Sequence, residues 1–298
     1  MSGSKRCVYL VDASIYIFRA YYSVPATLTN ADGHAINALH GFAGFLAGFL
    51  HQVKPEYLAV VFDESLTGSF RHALYPAYKA NRETAPAALK RQFVFCRTLV
   101  EALGIAAYSS TRYEADDLIA SLAVRLRKPD FPVVILSADK DLAQVLQHGD
   151  LVWDYSRNRR HQYHKVPDWL GVRPEQVADW LALTGDAVDN IPGIPGIGAK
   201  TAAALLDEFD SLDAIFAGLE RVPAMQLRGA KRVQQLLAEH EGAARLARAL
   251  TGVAIDPELQ AGERDVQRRV VDAEDVATAC ERLGLGRMTM ARLVRTLN

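Results

Sequence analysis

Cys7-Val-Tyr-Leu-Val-Asp12 is a short, mostly apolar, β-prone run that stops at an aspartate and is followed by a helix-like stretch. The same pattern returns as YLAVVFD from Tyr57 to Asp63 and as VVILSAD from Val133 to Asp139. Between these runs, apolar residues fall at helical spacing around Leu39 to Val53 and Leu118 to Leu126. Such alternation predicts an α/β fold, a mostly parallel sheet with helices on both faces. In sheets of that kind ligands sit beyond the carboxyl ends of the strands, where Asp12, Asp63 and Asp139 fall. Aspartate is also a favoured helix N-cap, and any one of the three could be no more than that. Three at successive strand ends, with the neighbours described below, read as a site.

The chain has 298 residues, half of them hydrophobic, enough for one large domain or two modest ones with a real core. Cys7, Cys96 and Cys280 lie far apart without zinc-like spacing, which argues against a disulfide framework or structural zinc and fits a reducing, cytoplasmic setting. No signal-peptide pattern and no run of membrane-spanning length stands out, so a soluble protein without membrane association is expected. A net charge of −1 is low for a nucleic-acid binder. If nine of the 35 acids are confined to one site, however, the remainder of the chain carries about +8.

Two stretches suggest contacts with phosphate. After Asp63 comes FRHALYPAYKANRETAPAALKR, in which Arg71, Lys79, Arg82, Lys90 and Arg91 interleave with Phe70, Tyr75 and Tyr78. Basic and aromatic side chains together suit phosphates and stacked bases, and the position of the insert places it over the proposed site. The second stretch is Gly193-Ile-Pro-Gly-Ile-Gly-Ala-Lys-Thr201, ahead of the apolar series Ala203, Leu205, Leu206 and Phe209. This is not a Walker loop, because Ala199 precedes Lys200 and the segment joins two helices. It reads as a hairpin between helices whose backbone N–H groups can meet phosphate. From about Pro167 the chain reads as helical, ending in an arginine-rich tail.

The acids extend beyond the strand ends. Glu114-Ala-Asp116-Asp117 opens a helix, Asp139-Lys-Asp141 leaves a strand, and Asp186-Ala-Val-Asp189 precedes the hairpin. So many like charges held together require cations, and hard oxygen donors select Mg²⁺ or Mn²⁺. Their number suits two ions, which could flank a phosphate, activate water and stabilise the leaving oxygen.

Taken in series, VDAS at Asp12, VVFD at Asp63, FRHALYPAYKANR, YEADD, SADKD, TGDAVDNIPGIPGIGAKTA and RGAK at Arg228 to Lys231 carry a resemblance. The chain resembles the 5′-3′ exonuclease and flap endonuclease superfamily, and in particular a free-standing version of the N-terminal 5′-nuclease domain of bacterial DNA polymerase I. The resemblance spans nearly the whole chain in the same motif order. It implies a PIN-like nuclease core at 1–166, a helical arch at about 64–92, and a helical DNA-binding region at 167–298 with a helix-hairpin-helix at about 184–210. It implies hydrolysis of 5′ flaps and of nicked or 5′-ended DNA, and of RNA primers on RNA–DNA hybrids, by a monomer with two Mg²⁺ or Mn²⁺ ions and a K⁺ at the hairpin. Carried over by position, Asp12, Asp63, Glu114, Asp116 and Asp139 match a first metal site and its shell, and Asp117, Asp141, Asp186 and Asp189 a second. Lys79, Arg82 and Arg19 match contacts to the scissile phosphate. Tyr78, Gly193, Gly196, Gly198, Lys200 and Thr201 match DNA-binding positions. Ala13 stands where polymerase-linked members often have glycine, and a proline-rich run usual after Arg82 is missing. A structure-specific DNA-binding protein with weak or lost chemistry is the alternative, which the retained acids disfavour. A ribonuclease with a related metal sheet is a third reading, against which the hairpin speaks.

Overall fold

A computed structural model describes residues 6–64 and 68–297. The first half alternates strands and helices in the order β1 (Val8–Asp12), α1 (Ala13–Ser23), α2 (Asn37–Val53), β2 (Tyr57–Val61), α3 (Phe70–Leu74), α4 (Ala87–Ala102), β3 (Ala106–Tyr108), α5 (Ala115–Leu126) and β4 (Val133–Leu136). Strands β5 (Leu151–Asp154) and β6 (Arg159–Gln162) follow, and then helices α6 (Val166–Leu170), α7 (Val177–Thr184), α8 (Ala199–Phe209), α9 (Leu212–Ala217), α10 (Ala230–Thr251), α11 (Ala273–Arg282) and α12 (Arg287–Val294).

The six strands are ordered β3-β2-β1-β4-β5-β6, all parallel except the antiparallel edge strand β6. Register places Asp12 opposite Val61 and Val11 opposite Leu136, so the three central strands end together. Successive side chains of a strand face opposite sides. Accordingly Val8, Leu10, Tyr57, Ala59 and Val61 enter one core with α5 and the later helices. Val11, Leu58 and Val60 enter the other, with Phe42, Leu46 and Phe49 of α2 and Leu99 of α4. Burial of each such aliphatic or aromatic side chain stabilises the fold by about 1.5–3 kcal/mol. The order of connection reverses between β1 and β4, and it is at such a crevice that open parallel sheets bind ligands.

The expected helical arch needs correction. Residues 65–67, which would open the arch, lie outside the described residues. Among those described, only Phe70–Leu74 and the stretch from Ala87 onward are helical within 64–92; the segment between consists largely of turns. It lies on the loop before the hairpin, where the Lys79 N–H donates to the Asp189 carbonyl at 2.9 Å and the Asn81 amide to the Ala187 carbonyl at 2.8 Å. The stretch from 167 onward is built of helices, and its last two return to the first half of the chain. Val276, Cys280, Leu283 and Leu293 join the α2 and α4 core, because an amphipathic α11 needs an apolar partner and finds it there. The three cysteines are free, as expected.

Candidate active site

Asp12 is the last residue of β1 and does cap α1, its Oδ1 accepting from the Ser14 N–H at 3.1 Å. Its Oδ2 accepts from the Ser137 hydroxyl at 3.0 Å, across the β1–β4 crevice. Asp63, two residues beyond β2, accepts from the Ser14 hydroxyl at 2.6 Å and from the Ala115 N–H at the start of α5 at 2.8 Å. Asp139 accepts from the Asp141 N–H at 2.9 Å, while its own N–H donates to Ser137. Capping and clustering are therefore both true of Asp12, while Asp63 and Asp139 cap no helix that follows them: serine hydroxyls and nearby backbone N–H groups hold the carboxylates at the sheet's carboxyl edge.

Asp12, Asp63, Asp116 and Asp139 act on one another by charge. Burial, then the charge of Asp63, pushes Asp12 up to about 7, against the hydrogen bond from Ser137. Asp116 is held well above the usual carboxylate range by burial and by the charges of Asp139, Asp12 and Asp63. Burial and Asp139 likewise push Asp141 up to about 6, although Lys140 pairs with it at 2.9 Å. Desolvation and mutual repulsion both disfavour the charged forms, and nearby cations would relieve both.

Glu114, Asp116, Asp141, Asp186 and Asp189 line a cavity of roughly 40 Å³, space for a few water-sized groups. The rest of its lining is Arg71, Tyr78, Gln144, Ile191, Leu250, Thr251 and Val253. No group of three His, Cys, Asp or Glu side chains among the described residues is set to hold an ion as it stands. The chemistry of the donors nonetheless fits a hard divalent cation: all are carboxylates, and several have their pKa values raised by burial and then by one another's charge.

Lys79 and Arg82 do reach this site. The Lys79 ammonium lies 2.8 Å from Glu114 Oε1 and 3.7 Å from Asp189 Oδ2, and Arg82 pairs with Asp189. Burial pulls the Lys79 ammonium down, but Glu114 and Asp189 outweigh it and hold its pKa above the ordinary lysine value. Burial pushes Glu114 up, while Lys79 and Arg71 outweigh that and hold it low. Arg19 lies exposed on α1, about 10 Å along the helix from Asp12.

Three expected site residues have other employment. Tyr78, expected to contact DNA, is only 3% exposed; its hydroxyl donates to Glu114 Oε2 at 2.8 Å with Asp189 Oδ2 at 3.2 Å, so no ring face is offered to a base. Asp117, expected to hold metal, is fully buried and accepts four hydrogen bonds, from both Arg71 terminal nitrogens at 2.7 Å, from Ala254 N–H at 2.8 Å and from Glu114 N–H at 3.1 Å. A carboxylate has about four acceptor sites, and none remains. Gly193 packs backbone on backbone: a Cβ there would collide with Thr184 and the Gly185 nitrogen.

The remaining hairpin positions are on the surface. Gly196 adopts φ +91°, a region that disfavours side chains, and an added Cβ would press on Leu236 of α10. Gly198 caps α8 without a side-chain bond, leaving Lys200 exposed and Thr201 half-buried in the first turn. Ile191, Ile194 and Ile197 are all buried and anchor the turn. Their three-residue spacing was readable in the sequence. Arg71, Ser14, Ser137 and Gln144 were not assigned these roles from sequence; only Arg71 gave a signal, as one cation in a basic run, and it pointed outward.

This combination, acids at the carboxyl edge of a parallel sheet joined to a glycine hairpin between helices, defines a class. A family model described as 5′-3′ exonuclease, N-terminal resolvase-like domain, matches residues 7–171, and one described as 5′-3′ exonuclease, C-terminal SAM fold, matches 172–274. The chain belongs to the 5′-3′ exonuclease family. It is 35% identical over 216 residues to the 5′-3′ exonuclease of Aquifex aeolicus, covering 72% of this chain and 74% of that one. It is 39% identical over 265 residues to DNA polymerase I of Rhizobium leguminosarum, covering 85% of this chain and 25% of the polymerase, so it spans about a quarter of that relative. A bacteriophage T5 flap endonuclease, solved with DNA and metal ions, shares the fold at a TM-score of 0.63 and 17% identity, covering 98% of each chain. No helix among the described residues is long and apolar enough to cross a membrane.

Proposed function

We propose that this chain is a divalent-metal-dependent 5′ nuclease that hydrolyses phosphodiester bonds at 5′ flaps, nicks and 5′ ends of DNA in replication and repair. The observation that carries this is that acids from the start of α5, the segment after β4 and the pre-hairpin loop line one cavity, while Asp12 and Asp63 at the ends of β1 and β2 act by charge on Asp116 in its lining, and Lys79 pairs with Glu114 there. Membership of the 5′-3′ exonuclease family supports it, as do the DNA and metal ions named for the phage structure. We assign residues 1–166, with the returning α11 and α12, to the nuclease core, and the helices around the hairpin to duplex binding.

Asp12, Asp63, Asp116 and Asp139, with Glu114 beside them, would hold a first Mg²⁺ or Mn²⁺; Asp141, Asp186 and Asp189 would hold a second. When bound, such ions neutralise the carboxylates, lower the pKa of water and stabilise a leaving oxygen. The chain's own residues orient the reaction. Ser14 and Ser137 fix the carboxylates of Asp63 and Asp12. Lys79 and Arg82, now paired with Glu114 and Asp189, are placed to exchange those partners for phosphate oxygens, where charged donors act most strongly in a water-poor site. Remote from the chemistry, the N–H groups at Gly198 to Lys200 and the Lys200 side chain would grip duplex backbone, with K⁺ at the turn. RNA–DNA hybrids are a further substrate in this reading, and a cytoplasmic monomer its form.

The test is a gel assay of labelled flap, nicked and single-stranded substrates with and without Mg²⁺. Cleavage confined to 5′ structures and to Mg²⁺ or Mn²⁺ supports the proposal; binding without cleavage under all metals overturns it in favour of a DNA-binding protein.

A further inference from the structure

Arg71 occurs in the sequence as one basic residue of a run, yet it is 3% exposed and lies deep beneath the surface. All five of its N–H groups are used. Nε donates to the Leu250 carbonyl at 2.8 Å; Nη1 donates to Asp117 Oδ2 at 2.7 Å and Glu114 Oε2 at 3.3 Å; Nη2 donates to Asp117 Oδ1 at 2.7 Å and the Gly252 carbonyl at 2.9 Å. The guanidinium thus ties α3 to the start of α5 and to the segment that follows α10. That segment is fastened again nearby: Ala254 N–H donates to Asp117, Asp256 N–H to the Ser121 hydroxyl at 2.8 Å, and Val253 N–H to Gln144 at 2.9 Å. Gln144 in turn donates to the Asp141 and Thr251 carbonyls. Leu250, Thr251 and Val253 form one wall of the acidic cavity, so the strap holds a wall as well as a helix end.

We infer that Arg71 and Asp117 form a positioning clamp, through which the segment after α10 fixes Glu114 at the edge of the cavity, and that Asp117 serves this clamp rather than a metal ion. The inference rests on the nuclease reading for its consequence. Glu114 accepts from Arg71 and Tyr78 at Oε2 and from Lys79 at Oε1. Without the guanidinium the carboxylate is left to Tyr78 and to Lys79, whose cation is then held back from phosphate. The clamp has no contact with the exposed hairpin, so its loss acts on the chemical step and not on duplex affinity. Misplacement of a reacting group by about 1 Å costs on the order of 100-fold in rate. Breaking a buried ion pair is also costly to folding, so the conservative exchanges Arg71→Lys and Asp117→Asn are the variants of choice, with Gln144→Ala as a third that buries no orphan charge.

The experiment uses the full chain and three readouts. Mn²⁺ titration calorimetry should give Asp117→Asn the same stoichiometry as wild type and an affinity within about twofold, whereas Asp139→Asn loses affinity strongly. Hydrogen exchange should show lost protection at Val253 and Ala254 in Arg71→Lys, and at Val253 in Gln144→Ala. Single-turnover cleavage of a flap duplex should fall ten- to a hundredfold in Arg71→Lys and Asp117→Asn, with flap affinity within about twofold. Loss of one Mn²⁺ equivalent in Asp117→Asn overturns the inference and makes Asp117 a ligand. Wild-type cleavage by Arg71→Lys, or unchanged exchange at Ala254, overturns it as well. If the wild-type chain does not cleave, the nuclease reading fails on its own, and the clamp is still judged by Mn²⁺ binding and exchange.

Discussion

Asp12 illustrates how one side chain carries both a structural and a chemical load. It caps α1, accepts from Ser137 and faces Asp63, and burial together with that neighbouring charge pushes its pKa up to about 7. The unfolded value is about 3.9, so between the two the native state binds a proton that the unfolded state lacks. The resulting contribution to stability is complete below about pH 4 and is lost as pH rises through 7. In EDTA, Asp12→Asn should therefore melt above wild type at pH 8, with the gap closing toward pH 5; a constant gap across that range would refute the linkage. A second prediction concerns turnover. Asp139→Ala and Asp189→Ala should each lower single-turnover cleavage by about a hundredfold or more while flap binding in Ca²⁺ persists, and near-wild-type turnover in either would remove that residue from the site. What sequence could not show at this scale is which charges are already paired. Asp117 and Asp116 are adjacent in the chain, yet only Asp117 meets Arg71, because that pairing depends on Leu250 to Ala254, more than a hundred residues away.

Among the elements, β1, β2 and β4 were legible because they are buried on both faces and so run almost continuously apolar. The short half-buried β3 and the charged edge strand β6 carry no such pattern, and neither was read. The basic insert was recognised, but the turns that fold it against residues 187–190 depend on contacts with that loop. The hairpin was legible from its glycines, though these do different work. Gly193→Ala should lower the melting temperature by several degrees, since the new methyl collides with Thr184 and Gly185, whereas Gly198→Ala, with open space around it, should melt close to wild type. Equal losses in thermal scans would contradict the packing. The two basic elements also divide the labour. Lys79→Ala should slow the chemical step, and Lys200→Ala should weaken flap affinity and reduce its salt slope by about one unit. Single-turnover rates at saturating enzyme alongside affinities at several salt concentrations would show a reversed assignment if Lys200 governed rate and Lys79 affinity alone.

At the scale of the molecule, a net charge of −1 coexists with a proposed polyanionic substrate because a group of the 35 acids is gathered at one edge of the sheet while many of the cations lie elsewhere on the chain. The chain also closes on itself: α11 and α12 return to the core of α2 and α4, and the segment after α10 walls the acidic cavity. Composition alone could not reveal that return, since α11 is as polar on its outer face as any surface helix. The central claim is that the gathered carboxylates act through divalent cations on a 5′ strand. It is tested most directly by single-turnover cleavage of a 5′-labelled flap duplex with wild-type protein in Mg²⁺, in excess EDTA, and in EDTA followed by restored Mg²⁺. Cleavage near the flap junction is expected in the first, none in the second and recovery in the third; robust cleavage in excess EDTA would contradict a metal-dependent reaction.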